Sequence, residues 1–231
     1  MNVLKGSFYV FFQSYKKENI IFWCILFSIV FLSFFLDSFF GKYISFFFTI
    51  SIPVYIFYSI MALKILNRTM PYFLKLGLSR IQYVLHLGLF SLAWSIAGAF
   101  IIACTHQIIT FLSKLLDVKE IFLIHPILLI DTSHPFMLTL ALDFVLLLFC
   151  LSSGLLLNVV FYRLGTIGGF SFIGILALIP IMLVIFEWYT PLWEALSEAS
   201  IITILGGLLI IIALIYSVIT GALRKASVIP A

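Results

Sequence analysis

The residues able to do chemistry in this chain are few and widely spaced. Asp143 is the one charged residue in the apolar run 136–161. An acid inside a hydrocarbon layer costs about 2.5–3.5 kcal/mol on insertion scales, so it should not face lipid. It either lines a substrate path or gate, or it is a buried acid bonded to a neighbouring helix. A second set falls between Thr105 and Pro135, where His106, His125 and His134 accompany Asp117, Glu120 and Asp131. Histidines with carboxylates invite a metal or a hydrolase. The spacing H-x18-H-x8-H matches no metal pattern, however, and no metal is expected. A third set is "FEWYTPLWEALSEAS", in which Glu187, Glu194 and Glu198 alternate with tryptophan, tyrosine and leucine. Glu187 and Glu194 would meet a cationic substrate at a path or gate; an aromatic anchor belt with solvated acids accounts for the same residues. No constellation for catalysis is present. "LSSGLL" has no histidine at matching depth, H-E-x-x-H is missing, and no two acids stand in facing apolar runs, so no catalytic residue is assigned and an enzyme is not expected.

The elements that would hold these residues are set by composition. The chain is 64% hydrophobic, 17% aromatic and 10% charged. An ordinary soluble domain is about 45–50% apolar and about 25% charged. A bilayer core of about 30 Å takes about 20 residues of helix, and six uncharged or nearly uncharged runs approach that length: 20–36, 44–63, 84–104, 136–161, 165–186 and 201–222. Backbone amides in lipid must be satisfied within the segment, so these runs are predicted as helices. The expectation is an all-α, polytopic membrane protein with six transmembrane helices and one membrane domain over 1–231. Ile121–Ile130 is too short to span and carries Pro126. Cys24, Cys104 and Cys150 have no paired spacing and read as small packing residues. No small-residue cleavage site follows the first run, so no cleavable signal peptide is expected.

Orientation follows from the cations, which are retained on the cytoplasmic side of short loops. With the N-terminus inside, Lys5, Lys16, Lys17, Lys64, Arg68, Lys75, Arg80, Arg163, Arg224 and Lys225 are all cytoplasmic, while Lys42, Lys114 and Lys119 are outside. Both termini are therefore expected in the cytoplasm. In Val3–Lys17, Leu4, Phe8, Phe11, Phe12 and Tyr15 recur at helical spacing, which predicts an amphipathic interface helix lying along the membrane. "RTMPYFLKLGLSR", residues 68–80, predicts a short cytoplasmic helix opened by Pro71. Gly165 and Gly169 form a G-x-x-x-G pair suited to close helix packing, Asn158 reads as interhelical glue, and Pro191 predicts two short helices before the last span.

Six spans, an N-terminal amphipathic helix, a short helix between the second and third spans with "LKLGLSRIQYVLHLG", and an aromatic-rich broken stretch before the last span together resemble the permease subunits of type-2 ATP-binding-cassette exporters. His86 stands where many relatives carry lysine or arginine. The resemblance implies that residues 68–80 are the coupling helix, with Phe73, Leu74, Leu76, Gly77, Leu78, Ser79 and Arg80 docking into a separate ATPase subunit. The chain has no G-x-x-x-x-G-K-[ST] to cradle ATP phosphates, so no cofactor of its own is expected, and ATP with Mg would belong to that partner. A second permease subunit, an identical copy or a sister chain, would complete the path in a prokaryotic plasma membrane, with membrane lipids and no nucleic acid as the other partners. The apolar bundle favours an amphipathic peptide or a lipid-like substrate. A stand-alone membrane binding or immunity protein without ATP coupling is the alternative.

Overall fold

Long apolar runs without a two-residue period satisfy their backbone in lipid only as helices, and helices are what form. The computed structural model describes residues 3–40, 46–115, 121–129 and 136–224. Among them are α1 (Val3–Phe40), α2 (Ser51–Lys75), α3 (Arg80–Leu115), α4 (Phe136–Ile185), α5 (Tyr189–Glu198) and α6 (Ile201–Leu223), with a 3-10 turn at Pro126–Leu129. Two three-residue strands, β1 (Phe46–Phe48) and β2 (Ile121–Leu123), pair in parallel with Phe46 opposite Ile121.

Among the described residues, four helices are long and apolar enough to cross a membrane: α1 over Val3–Leu36, α3, α4 and α6. This fits a multi-pass, all-α membrane protein, with four such helices where the sequence predicts six. Two features account for the difference. The run predicted from Ile44 starts as a helix only at Ser51, and Lys64 follows after about 20 Å of rise, short of a bilayer core. The runs 136–161 and 165–186 join into the single element α4, with Gly165 at φ 67, ψ −170 between its two halves.

Gly165 makes a turn there, not the helix-packing notch that the G-x-x-x-G spacing suggests. In a straight helix, residues nine apart are about 13.5 Å along the axis and on opposite faces. Here the rings of Phe161 and Phe170 meet edge-on with centroids 5.5 Å apart. A Cβ on Gly169 would come within 2.2 Å of the Phe161 ring, while one on Gly174 would meet nothing within 4 Å. Only glycine adopts the Gly165 backbone without strain. Gly165→Ala is therefore expected to lower stability by about 1–3 kcal/mol, read as a lower unfolding midpoint in detergent; an unchanged midpoint would mean that the turn tolerates a side chain.

The chain expected as one domain divides into two compact units, Met1–Tyr58 with Phe90–Leu148, and Ser59–Leu89 with Phe149–Ala231. In the first, residues 3–17 do not form a separate interface helix; they run on without a break into α1. Part of the same apolar stripe covers protein. Phe11 and Tyr15 are buried, and their rings lie 5.3 and 5.7 Å from that of Phe90, which stacks on Trp94 at 5.5 Å. Periodicity asks for an apolar cover without specifying which one.

In the second unit, α2 and α4 meet along a seam of small and polar groups. Ser59 Oγ donates to the Cys150 carbonyl at 3.1 Å, Gly154 lies against Ser59 and Ala62, and Asn158 Nδ2 donates to the Ala62 carbonyl at 3.0 Å. Asn158 thus joins two helices, and because contacts advance together along both, α2 and α4 run in the same direction. Gly88 of α3 faces Tyr216 of α6, and Arg80 Nη1 donates to the Arg224 carbonyl at 3.4 Å, so these two helices run in opposite directions.

Residues 68–75 continue α2, with Pro71 inside it, so no separate helix forms over 68–80. The turn that follows is fully capped. Leu78 N–H donates to the Phe73 carbonyl at 3.1 Å and Gly77 N–H to the Leu74 carbonyl at 3.1 Å, with Gly77 at φ 84, a Schellman ending. Gln82 N–H donates to Ser79 Oγ at 3.2 Å and Ser79 N–H to Gln82 Oε1 at 3.0 Å, a capping box that starts α3. Beyond Ile185, α5 is one helix; Pro191 lies in its first turn, where no amide donor is needed.

Candidate functional site

Three segments of the first unit converge on Asp143. Along α4, Phe136, Thr139 and Asp143 share a face at steps of three and four. Along α3, which runs on to Leu115, Ala103, His106, Thr110, Phe111 and Lys114 form a second stripe of the same kind. Residues 124–129 bring His125 and Ile127, and α2 brings Tyr55.

Asp143 is 0% exposed. Its Oδ1 accepts a short hydrogen bond from the Tyr55 hydroxyl and another from His125 Nε2 at 3.0 Å. The Ile127 N–H donates to His125 Nδ1 at 3.1 Å, which assigns the ring proton to Nε2 and makes His125 the donor to Asp143. Asp143 Oδ2 meets no donor among the described residues. The His106 ring stands nearly perpendicular to that of His125, centroids 5.2 Å apart, and its Nε2 is buried without a hydrogen bond among the described residues.

Beside this network opens a cavity of about 610 Å³. Its apolar wall is Ala103, Phe111, Ile127 and Phe136; its polar wall is His106, Gln107, Thr110, Lys114, His125 and Thr139. Asp143 is not on the wall; His125 lines the cavity and carries the contact to it. Both ring nitrogens of His125 are committed, one to a backbone amide and one to Asp143, so this pair offers no free base for hydrolysis. What the arrangement does is join α2, the 124–129 segment and α4 behind a pocket of ligand size.

Of the histidines and acids flagged between 105 and 135, His106 and His125 come together. His134, Asp117, Glu120 and Asp131 lie outside the described residues, as do Lys42, Lys119 and Lys225. No group of three metal-ligating side chains occurs among the described residues. Glu187 occupies the turn before α5 at φ 55, and Glu194 lies on α5; both are exposed. Of the residues expected to dock an ATPase, Phe73 is 3% exposed and packs on Tyr83 at 5.7 Å, which takes it off the surface. Gly77 and Ser79 are exposed and are used as caps, Leu74, Leu78 and Arg80 are half-buried, and Leu76 is 60% exposed. Tyr55 carried no signal in the sequence, standing 88 positions from its partner in an aromatic-rich helix. Lys114 was legible only as a loop cation, although its spacing from His106, Thr110 and Phe111 fits one helix face.

Fold and site together define a multi-pass, all-α membrane-type chain with a buried Tyr–Asp–His network behind a ligand-sized cavity. No protein-family model, no curated protein and no solved structure matches this chain.

Proposed function

We propose that this chain is the permease subunit of an ATP-driven exporter, of the type-2 ATP-binding-cassette kind that its sequence resembles. The observation that carries the reading is the α2–α3 turn. It is capped at both ends, and it presents Leu76, 60% exposed, next to the exposed Lys75. A rigid tip with an apolar point beside a cation suits a docking groove on a partner, and a motion of that partner would pass directly into two long helices.

Helix directions support six crossings. With α3 between them, α2 and α4 must run the same way, and α3 must oppose α6; the contacts given above have those directions. A reversal at Gly165 would let α4 supply the fourth and fifth crossings. In this reading Asp143 lines or gates the path, Glu187 and Glu194 are further candidates for that role, and the substrate is an amphipathic peptide or a lipid-like compound. ATP binding would close two partner ATPases, and the turn would carry that closure to α2 and α3.

The test is co-purification with the ATP-binding-cassette ATPases encoded beside the chain. Leu76→Asp with Leu78→Asp is expected to reduce ATPase recovery by about tenfold or more while membrane insertion stays normal. Unchanged recovery would remove the turn from the interface, and a chain that never recovers an ATPase would overturn the permease reading. The 610 Å³ cavity favours the second reading, a stand-alone membrane protein that holds a ligand without ATP.

A further inference from the structure

We infer that the cavity beside His125 binds a single-chain anionic amphipath, a molecule with one carboxylate or phosphate head and a short alkyl tail. The site stands without ATP coupling, and, if the chain is a permease, it names the chemical class of its cargo.

Size comes first. A volume of about 610 Å³ lies within the range of about 300–1,000 Å³ typical of ligand pockets. It equals about 20 water-sized volumes. A ten-carbon chain with its head fits; a two-chain phospholipid does not. Polarity comes next. Lys114 is the only cation on the wall, and no carboxylate lines the cavity among the described residues. Asp143, the one acid behind the wall, is sealed at 0% exposure and is already held by Tyr55 and His125. On the same wall, the Gln107 amide adds donors of its own. An anionic head is thus met by charge and hydrogen bonds, whereas a cationic head meets a lysine.

The same cavity offers apolar surface for the tail. Phe111 is 64% exposed and Phe136 40% exposed, so two rings are bare on the wall, with the apolar Ala103 and Ile127 beside them. Donors and bare rings lining one cavity are together the complement of an anionic amphipath.

The experiment is titration calorimetry of the full chain in phosphatidylcholine nanodiscs, with empty nanodiscs as the partition control. Decanoate, decyl phosphate and decyltrimethylammonium are the probes. Saturable uptake of decanoate or decyl phosphate is expected only with the chain present, and the tighter of the two identifies the head. Lys114→Glu should weaken it about tenfold. Thr110→Trp, which fills the cavity without changing charge, should remove it, and Lys5→Glu on the exposed start of α1 should leave it unchanged. Decyltrimethylammonium bound as tightly as decanoate, or decanoate bound equally by the Lys114→Glu chain, would overturn the inference. Those outcomes leave the ATPase co-purification result untouched, and a chain without an ATPase would still bind decanoate.

Discussion

An Asp143→Ala chain is expected to unfold about 3 kcal/mol more easily than the parent. The substitution removes the acceptor of two buried donors at once, the Tyr55 hydroxyl and His125 Nε2. A buried donor left without an acceptor costs about 1–3 kcal/mol. Asp143→Asn keeps an oxygen in the Oδ1 position and should recover most of the loss. Tyr55→Phe, which deletes one donor while His125 still donates to Asp143 Oδ1, should cost about 1 kcal/mol. Chemical unfolding in detergent micelles, followed by tryptophan fluorescence, reads all three. Equal midpoints for the parent and Asp143→Ala would mean that the network contributes nothing to the fold.

Gly154→Leu is the second large effect. A Cβ at Gly154 would lie 2.3 Å from the Ser59 carbonyl oxygen and 2.9 Å from the Ala62 Cβ. The nearest atom is backbone, so no rotamer change relieves the clash. The helices can separate only by breaking the bonds on either side, Ser59 to the Cys150 carbonyl and Asn158 to the Ala62 carbonyl. Overpacking alone costs about 1–3 kcal/mol, and with the two bonds lost the yield of folded, monodisperse protein should fall severalfold. Gly207→Ala is the control, because nothing lies within 4 Å of its Cβ and alanine is the better helix former. If Gly154→Leu purified as well as Gly207→Ala, the α2–α4 seam would not hold the second unit together.

What was legible in the sequence followed from solvent, and what was not followed from distance. The last helix, predicted over 201–222, runs Ile201–Leu223, because an uninterrupted apolar run has one way to satisfy its backbone in lipid. Asp143 stood out for the same reason, as the only charge in its run. Its partners did not, since hydrogen-bonding side chains 18 and 88 positions away leave no periodic trace. Glycine was misread in both directions. Gly165 and Gly169 have the spacing of a packing motif but serve a turn, whereas Gly154, with no motif around it, makes the close contact. In residues 68–80 the charges and apolar residues were visible, but helix and turn share a composition there. Whether Gly77 and Ser79 end and start helices depends on capping bonds, and "LGLSRIQ" contains the S-x-x-Q pattern that would have shown it.

The turn at Gly165 and the bond between Tyr55 and Asp143 belong to different moments in the life of the chain. Phe161 and Phe170 are nine positions apart, and a loop of that length closes in about 10–100 ns once made. Tyr55 must wait for Asp143, 88 positions later, which at about 5–20 residues per second is about 4–18 s of synthesis. Phe170 is made 27 positions after Asp143, so every partner of the network exists before the Gly165 turn can close.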